Sequence, residues 1–110
     1  MKMTFAEYQA AARRTQNPDL SMNETLEHAL WGLASECGEV CGLFQKRLQG
    51  HAIEADAVLK EIGDVLWMLA ELCDVLEMDL GHVAGENIEK LKRRYPNGFE
   101  ARRSVGRIEE

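Results

Sequence analysis

The sequence predicts an all-α protein, an antiparallel four-helix bundle completed by oligomerisation, and three observations carry that prediction. Leu, Ala, Glu, Lys and Arg dominate a chain of 110 residues that is 45% hydrophobic, a helical rather than a β composition. Apolar residues recur every three or four positions along most of its length, the period of an amphipathic helix. The connections between these patterns are short, which makes successive helices antiparallel neighbours. One core is all that such a chain can build, so residues 1–110 read as a single domain, with a helical core at about 4–96 and a basic tail at about 97–110. A chain of this size buries only about two-thirds of its unfolded surface. A thin set of helices then leaves apolar area for a partner, and a homodimer or homotetramer is expected.

The first helix opens at Thr4-Phe5-Ala6-Glu7, which has capping-box spacing, and fades near Thr15 ahead of the Asn17-Pro18-Asp19 turn. A second capping box, Ser21-Met22-Asn23-Glu24, starts a long helix whose apolar positions are Leu26, Leu30, Leu33, Cys37, Val40, Phe44 and Leu48, and Gly50 ends it. After a short connection at His51–Asp56, a third helix carries Val58, Ile62, Val65, Leu69, Leu72 and Leu76 and stops around Met78. Asp79 is the expected N-cap of the fourth helix, which runs from about Leu80 to Tyr95 and is marked by Val83, Ile88 and Leu91. Pro96-Asn97-Gly98 terminates it, and the polar, basic remainder reads as an extended tail.

Charge is uneven along this framework. The net charge is −6, but residues 21–79 hold twelve acids against three bases, whereas residues 85–110 hold seven bases against five acids. An acidic middle with a basic end suits cation binding beside anion binding, and the overall sign disfavours a broad nucleic-acid surface. Cys37, Cys41 and Cys73 lie within apolar helical patterns and read as reduced, packed thiols. The N-terminal residues lack the apolar run of a signal peptide, and no stretch approaches the roughly 20 apolar residues of a membrane span, so a soluble, cytoplasmic protein is expected.

The chemistry is expected where acids meet the core face. With Glu61 set at 0° on a wheel of about 100° per residue, Val65, Met68, Leu72 and Leu76 all fall within about 60° of it. Glu61 therefore sits inside the apolar stripe, and Asp64 lies at its border. On the second helix Glu36 stands at the edge of the stripe and Glu39 one step further out. An unpaired carboxylate aimed at a core costs several kcal/mol, and no cation on the same face repays it. A bound metal does. Acids at i and i+3 share a helix face, so two such pairs on consecutive helices bring four carboxylates together. All-oxygen ligands select hard cations, and Mg²⁺ in particular keeps positions open for water and phosphate oxygens. Di-iron bundles need Glu-x-x-His pairs, and none occurs; His28, His51 and His82 read as cap, loop or surface residues. Phosphate-binding glycine loops and nucleophile elbows are also missing from the sequence.

These strings, GLASECGEV with Glu36-Cys37-Gly38-Glu39 and EIGDVLWMLAEL with Glu61-Ile62-Gly63-Asp64, resemble the MazG-like nucleotide pyrophosphohydrolases, the all-α NTP pyrophosphatases whose signature is E-x-x-E, a spacer, then E-x-x-D. NIEKLKRRYPNGF at 87–99 and Ser104-Val105-Gly106-Arg107 extend the likeness, which covers roughly Ala29 to Arg107. The resemblance implies hydrolysis of a nucleoside triphosphate, NTP or dNTP, to a monophosphate and pyrophosphate, as nucleotide-pool housekeeping. It also implies Mg²⁺, with Mn²⁺ able to substitute, held by Glu36, Glu39, Glu61 and Asp64. Clustered Mg²⁺ polarises phosphates and lowers the pKa of bound water, which is what attack at phosphorus needs. Some relatives carry an extra Glu directly after the first motif acid. Here that position is Cys37, which leaves the general base to another group, Glu36 or Glu39 among them. For the triphosphate, Lys46, Asn87, Lys90 and Arg94 are the expected side chains, with Tyr95 and Arg107 nearby; Asn87, Lys90 and Arg94 share a face at i, i+3 and i+7. Two other readings are a non-catalytic helical dimeric module and an activity like that of phosphoribosyl-ATP pyrophosphohydrolase.

Overall fold

The computed structural model describes residues 2–107 and is helical, with α1 at Phe5–Arg13, α2 at Met22–Leu48, α3 at Ala55–Val75, α4 at Leu80–Arg94 and α5 at Ala101–Val105. The frame is the long antiparallel hairpin of α2 and α3. α1 packs against α3 and α4, and α4 also touches α3. No helix among the described residues is long and apolar enough to cross a membrane.

The helix starts follow from their capping residues. Thr4 and Glu7 bond reciprocally across the start of α1, the Glu7 N–H donating to Thr4 Oγ1 at 3.1 Å and the Thr4 N–H to Glu7 Oε1 at 2.8 Å. Ser21 and Glu24 repeat the device at α2, at 3.1 and 2.9 Å. Asp79 caps α4 by accepting from the Gly81 N–H at 3.0 Å. Each satisfies backbone donors that the first turn of a helix leaves open.

The ends are less uniform. α2 closes with Gly50 in the left-handed region, φ +97°, and the His51 N–H reaching back to the Lys46 carbonyl at 3.0 Å, a Schellman closure that favours glycine. α3 closes the same way three residues before the expected Met78. The Met78 N–H donates to the Cys73 carbonyl at 2.7 Å, and Glu77 occupies the left-handed position at φ +57°. A glutamate there gives no sequence signal, so α3 ends before the apolar pattern does. The tail is also corrected: part of it forms α5, tethered by the Arg103 Nε–H donating to the Arg94 carbonyl at 2.7 Å.

A small core of Ala12, Ala70, Cys73 and Leu80, with Tyr8, Leu66 and Trp67 against it, sits where α1 crosses α3 and the start of α4. Gln9 organises this junction. Its buried amide donates to Asp74 Oδ1 at 2.8 Å and to the Met78 carbonyl at 2.9 Å, and accepts from the Leu80 N–H at 2.8 Å. Asp74 is bonded in addition by Arg13 and Gln16. Burial alone would raise its carboxyl, but those three donors and the Arg13 charge together hold it below the ordinary aspartate range.

Cys73 is a packed thiol as expected, but Cys37 and Cys41 are exposed. Leu30, Phe44, Leu48, Ile62 and Leu76, read as stripe residues, are exposed as well. Each stands at a position that the other described helices leave open to solvent. The line facing across the hairpin consists instead of Leu26, Ala29, Leu33, Glu36, Val40 and Leu43 on α2 and Val58, Glu61, Val65, Met68, Leu72 and Val75 on α3, all buried or half-buried.

Candidate metal centre

Two of the four motif acids occupy core-facing positions in those lines. Glu36 and Glu61 take places that an alternating three- and four-residue spacing reserves for apolar side chains, and both are half-buried. Asp64, one turn beyond Glu61, stands at the exposed edge of the same seam. The hairpin brings carboxylate oxygens of Glu36, Glu61 and Asp64 all within 4.8 Å of one another. Glu39 is exposed and stands outside this group of three.

The electrostatics follow from the crowding. Partial burial, then the charges of Asp64, Glu61 and Glu39, push the Glu36 carboxyl up. Repulsion of that kind is relieved by protonation or by a cation. The donor set fits a hard divalent ion: only carboxylate oxygens converge, one side of the cluster is open to water, and no thiol or imidazole belongs to it.

The anion-binding candidates are distributed differently. Lys46 is exposed in the last turn of α2, where a cation complements the helix dipole. Asn87, Lys90 and Arg94 stand on α4, which packs on α1 and α3 rather than forming part of the acidic hairpin. Arg94 lies over the Tyr95 ring at 5.9 Å, and Tyr95 packs on Phe99 with centroids 5.3 Å apart. Arg107 is exposed beyond α5.

Two features near the acids were not read from the sequence. Tyr8 of α1 faces this side of α3, and burial, then the Asp64 charge, raises its hydroxyl. His28, expected as a cap, loop or surface residue, pairs through Nδ1 with Glu71 Oε1, and Glu71 is 1% exposed with its other oxygen lacking a partner among the described residues. The ring also meets Trp67 edge-on at 6.2 Å, and the Trp67 indole N–H donates to Thr15 Oγ1 at 2.8 Å. A signal for the pair existed. His28 lies eight residues before Glu36 and Glu71 seven after Asp64, displacements of about 12 and 10 Å that run the same way along an antiparallel pair. On both wheels these residues fall on the same side of the seam as Asp64.

The helical hairpin clusters three carboxylates at its seam, a donor set of the kind that can hold a hard cation between two helices. The chain is matched by the model of the MazG nucleotide pyrophosphohydrolase domain over residues 24–99, and it belongs to that family. The matched span contains both acidic pairs and ends after α4. The chain is also similar to the Gene 37 protein of Mycobacterium phage L5, 31% identical over 85 residues, which are 73% of this chain and 75% of that protein. No solved structure matches the chain.

Proposed function

We propose that this protein hydrolyses a nucleoside triphosphate, NTP or dNTP, between the α- and β-phosphates, releasing a nucleoside monophosphate and pyrophosphate, and that it does so with Mg²⁺ or Mn²⁺. The observation that carries the reading is the group of three carboxylates at the α2–α3 seam, in a chain whose family is that of nucleotide pyrophosphohydrolases. Glu36, Glu61 and Asp64 would hold the metal, with Glu39 completing the set from the rim. When bound, the cation supplies charge neutralisation on the phosphates and acidifies water.

The chain's own residues then have defined tasks. Glu36, the acid whose affinity for a proton is raised, or Glu39, exposed beside it, is proposed to accept a proton from the attacking water. The water oxygen bonds to the α-phosphorus as the bond from that phosphorus to the bridging oxygen breaks, and pyrophosphate leaves. Lys46, Asn87, Lys90, Arg94, Tyr95 and Arg107 are proposed to bind the triphosphate, the cations by neutralising its oxygens.

The test is product identification after incubation with Mg²⁺ and a panel of NTPs, dNTPs and phosphoribosyl-ATP. Pyrophosphate and a monophosphate are the expected products. Orthophosphate with a diphosphate would place the cleavage at the wrong bond.

A further inference from the structure

On the side of the hairpin where Asp64 stands, the acids have unlike neighbours at their two ends. Lys46 lies beyond them on α2, on the same helix face as His28, since the two are separated by five whole turns. At the other end stand His28 and Glu71, about 12 and 10 Å along their helices from Glu36 and Asp64. The turn between the acids and that pair holds Gly32, where a Cβ would lie 2.4 Å from the Met68 sulfur. The half-buried Met68 side chain therefore lies over bare α2 backbone, and at that turn α2 raises no side chain between the acids and His28.

The pair presents one polar atom to the outside. Glu71 is buried with Oε2 lacking a partner among the described residues, a costly arrangement at a seam whose neighbouring positions, Ala29 and Leu72, are apolar. His28, by contrast, keeps 45% of its side chain exposed. A carboxylate oxygen only accepts, so Nδ1 carries the hydrogen of their bond, and Nε2 of the neutral ring is left as an acceptor on the edge away from Glu71. Trp67 meets the ring edge-on and is itself anchored through its indole N–H to Thr15 Oγ1 at 2.8 Å. The imidazole is thus held from two directions while its second nitrogen stays open.

We propose, resting on the function proposed above, that His28 is a specificity-determining residue that reads the base of the nucleotide through Nε2, and that Glu71 is the positioning residue that holds it. The charges along the groove set the direction in which substrate lies. The triphosphate is drawn toward Lys46, whereas a carboxylate with one oxygen free makes the His28 end repel phosphate. With the α-phosphorus at the acids, a nucleoside extending the other way crosses the Gly32–Met68 turn and brings the far edge of its base to His28. An acceptor beside a negative charge selects a partially positive N–H. The favoured bases are then adenine and cytosine, whose exocyclic amines donate, over thymine and uracil, which offer a carbonyl oxygen at the corresponding edge.

Calorimetric binding of the α,β-methylene analogues of dATP, dCTP and dTTP to the full chain with Mg²⁺ tests this without requiring turnover. The adenine and cytosine analogues should bind roughly tenfold tighter than the thymine one. His28→Phe, which keeps a ring against Trp67, should bring all three to similar affinities, and Glu71→Gln, which keeps an acceptor but removes the charge, should narrow the gap. Equal affinities in the wild type, a preference for thymine, or a preference that survives His28→Phe overturns the role of His28 and leaves the reading of the acids standing; no binding of any analogue overturns both. Unchanged selectivity in Glu71→Gln removes that residue from its positioning role. Should His28→Phe fail to fold, nitrogen-15 NMR of the wild-type histidine rings decides. The His28 Nε2 resonance should move with the adenine and cytosine analogues and stay in place with the thymine one, and a like response to all three overturns the proposal.

Discussion

Glu61 is the residue whose placement the physics of a helix fixes most firmly. The 3.6-residue period sets it among Val58, Val65, Met68 and Leu72, and the structure finds it half-buried on that line, close to Glu36 and Asp64. Glu61→Gln is therefore expected to abolish turnover and leave a folded helical protein. In the metal-free state its thermal midpoint should be unchanged or higher, because the substitution removes one of three mutually repelling charges. Retained activity, or a marked loss of metal-free stability, would remove Glu61 from its assigned role. Asp74 behaves in the opposite sense to Glu36. The folded-state pKa of Asp74 is depressed, so its contribution to stability is fully present above the unfolded value, near 4, and is lost as pH falls through the lower folded value. Glu36 is raised, so it favours the fold at low pH and ceases to as pH rises through its folded value. Asp74→Asn should lower the thermal midpoint at pH 7 and flatten its decline below about pH 4. An unchanged acid limb would show that the Gln9, Arg13 and Gln16 bonds do not hold the carboxylate. The His28–Glu71 pair was not legible in the same way. It depends on the register at which two helices meet, across 43 positions of sequence, and a single wheel carries no register.

At the scale of elements, helix starts were legible because capping is local: Thr4 with Glu7, Ser21 with Glu24 and Asp79 each act within three residues. The end of α2 was legible for the same reason, since Gly50 is the residue a left-handed closure prefers. The end of α3 was not, because Glu77 holds that position against its own preference. Relieving it is a direct check. Glu77→Gly should stabilise the protein by about 0.5–1 kcal/mol, the left-handed strain removed less the extra freedom of the unfolded chain, measured by urea unfolding at constant slope. A loss of stability would mean that Glu77 makes contacts worth more than its strain. α5 escaped prediction because five residues are too few to show a period.

At the scale of the molecule, the sequence pattern specified helices and their antiparallel order, but not which sides they would leave open. Reading every apolar position of the two long helices as core merged two different lines. One faces across the hairpin and carries Glu36 and Glu61. The other is open to solvent along α2, which is why Cys37 and Cys41, expected to be packed, are exposed. The anion-binding candidates show a similar limit, since Lys46 stands on the hairpin while Asn87, Lys90 and Arg94 stand on a helix that packs elsewhere on it. The acidic seam is the part of the account on which the rest turns. The most direct measurement is phosphorus-31 NMR of a dNTP incubated with the wild-type protein and Mg²⁺, beside the same reaction with chelator and with Glu61→Gln. The account predicts monophosphate and pyrophosphate signals in the first reaction and neither in the other two; turnover that survives chelation, or that Glu61→Gln supports at the wild-type rate, would contradict it.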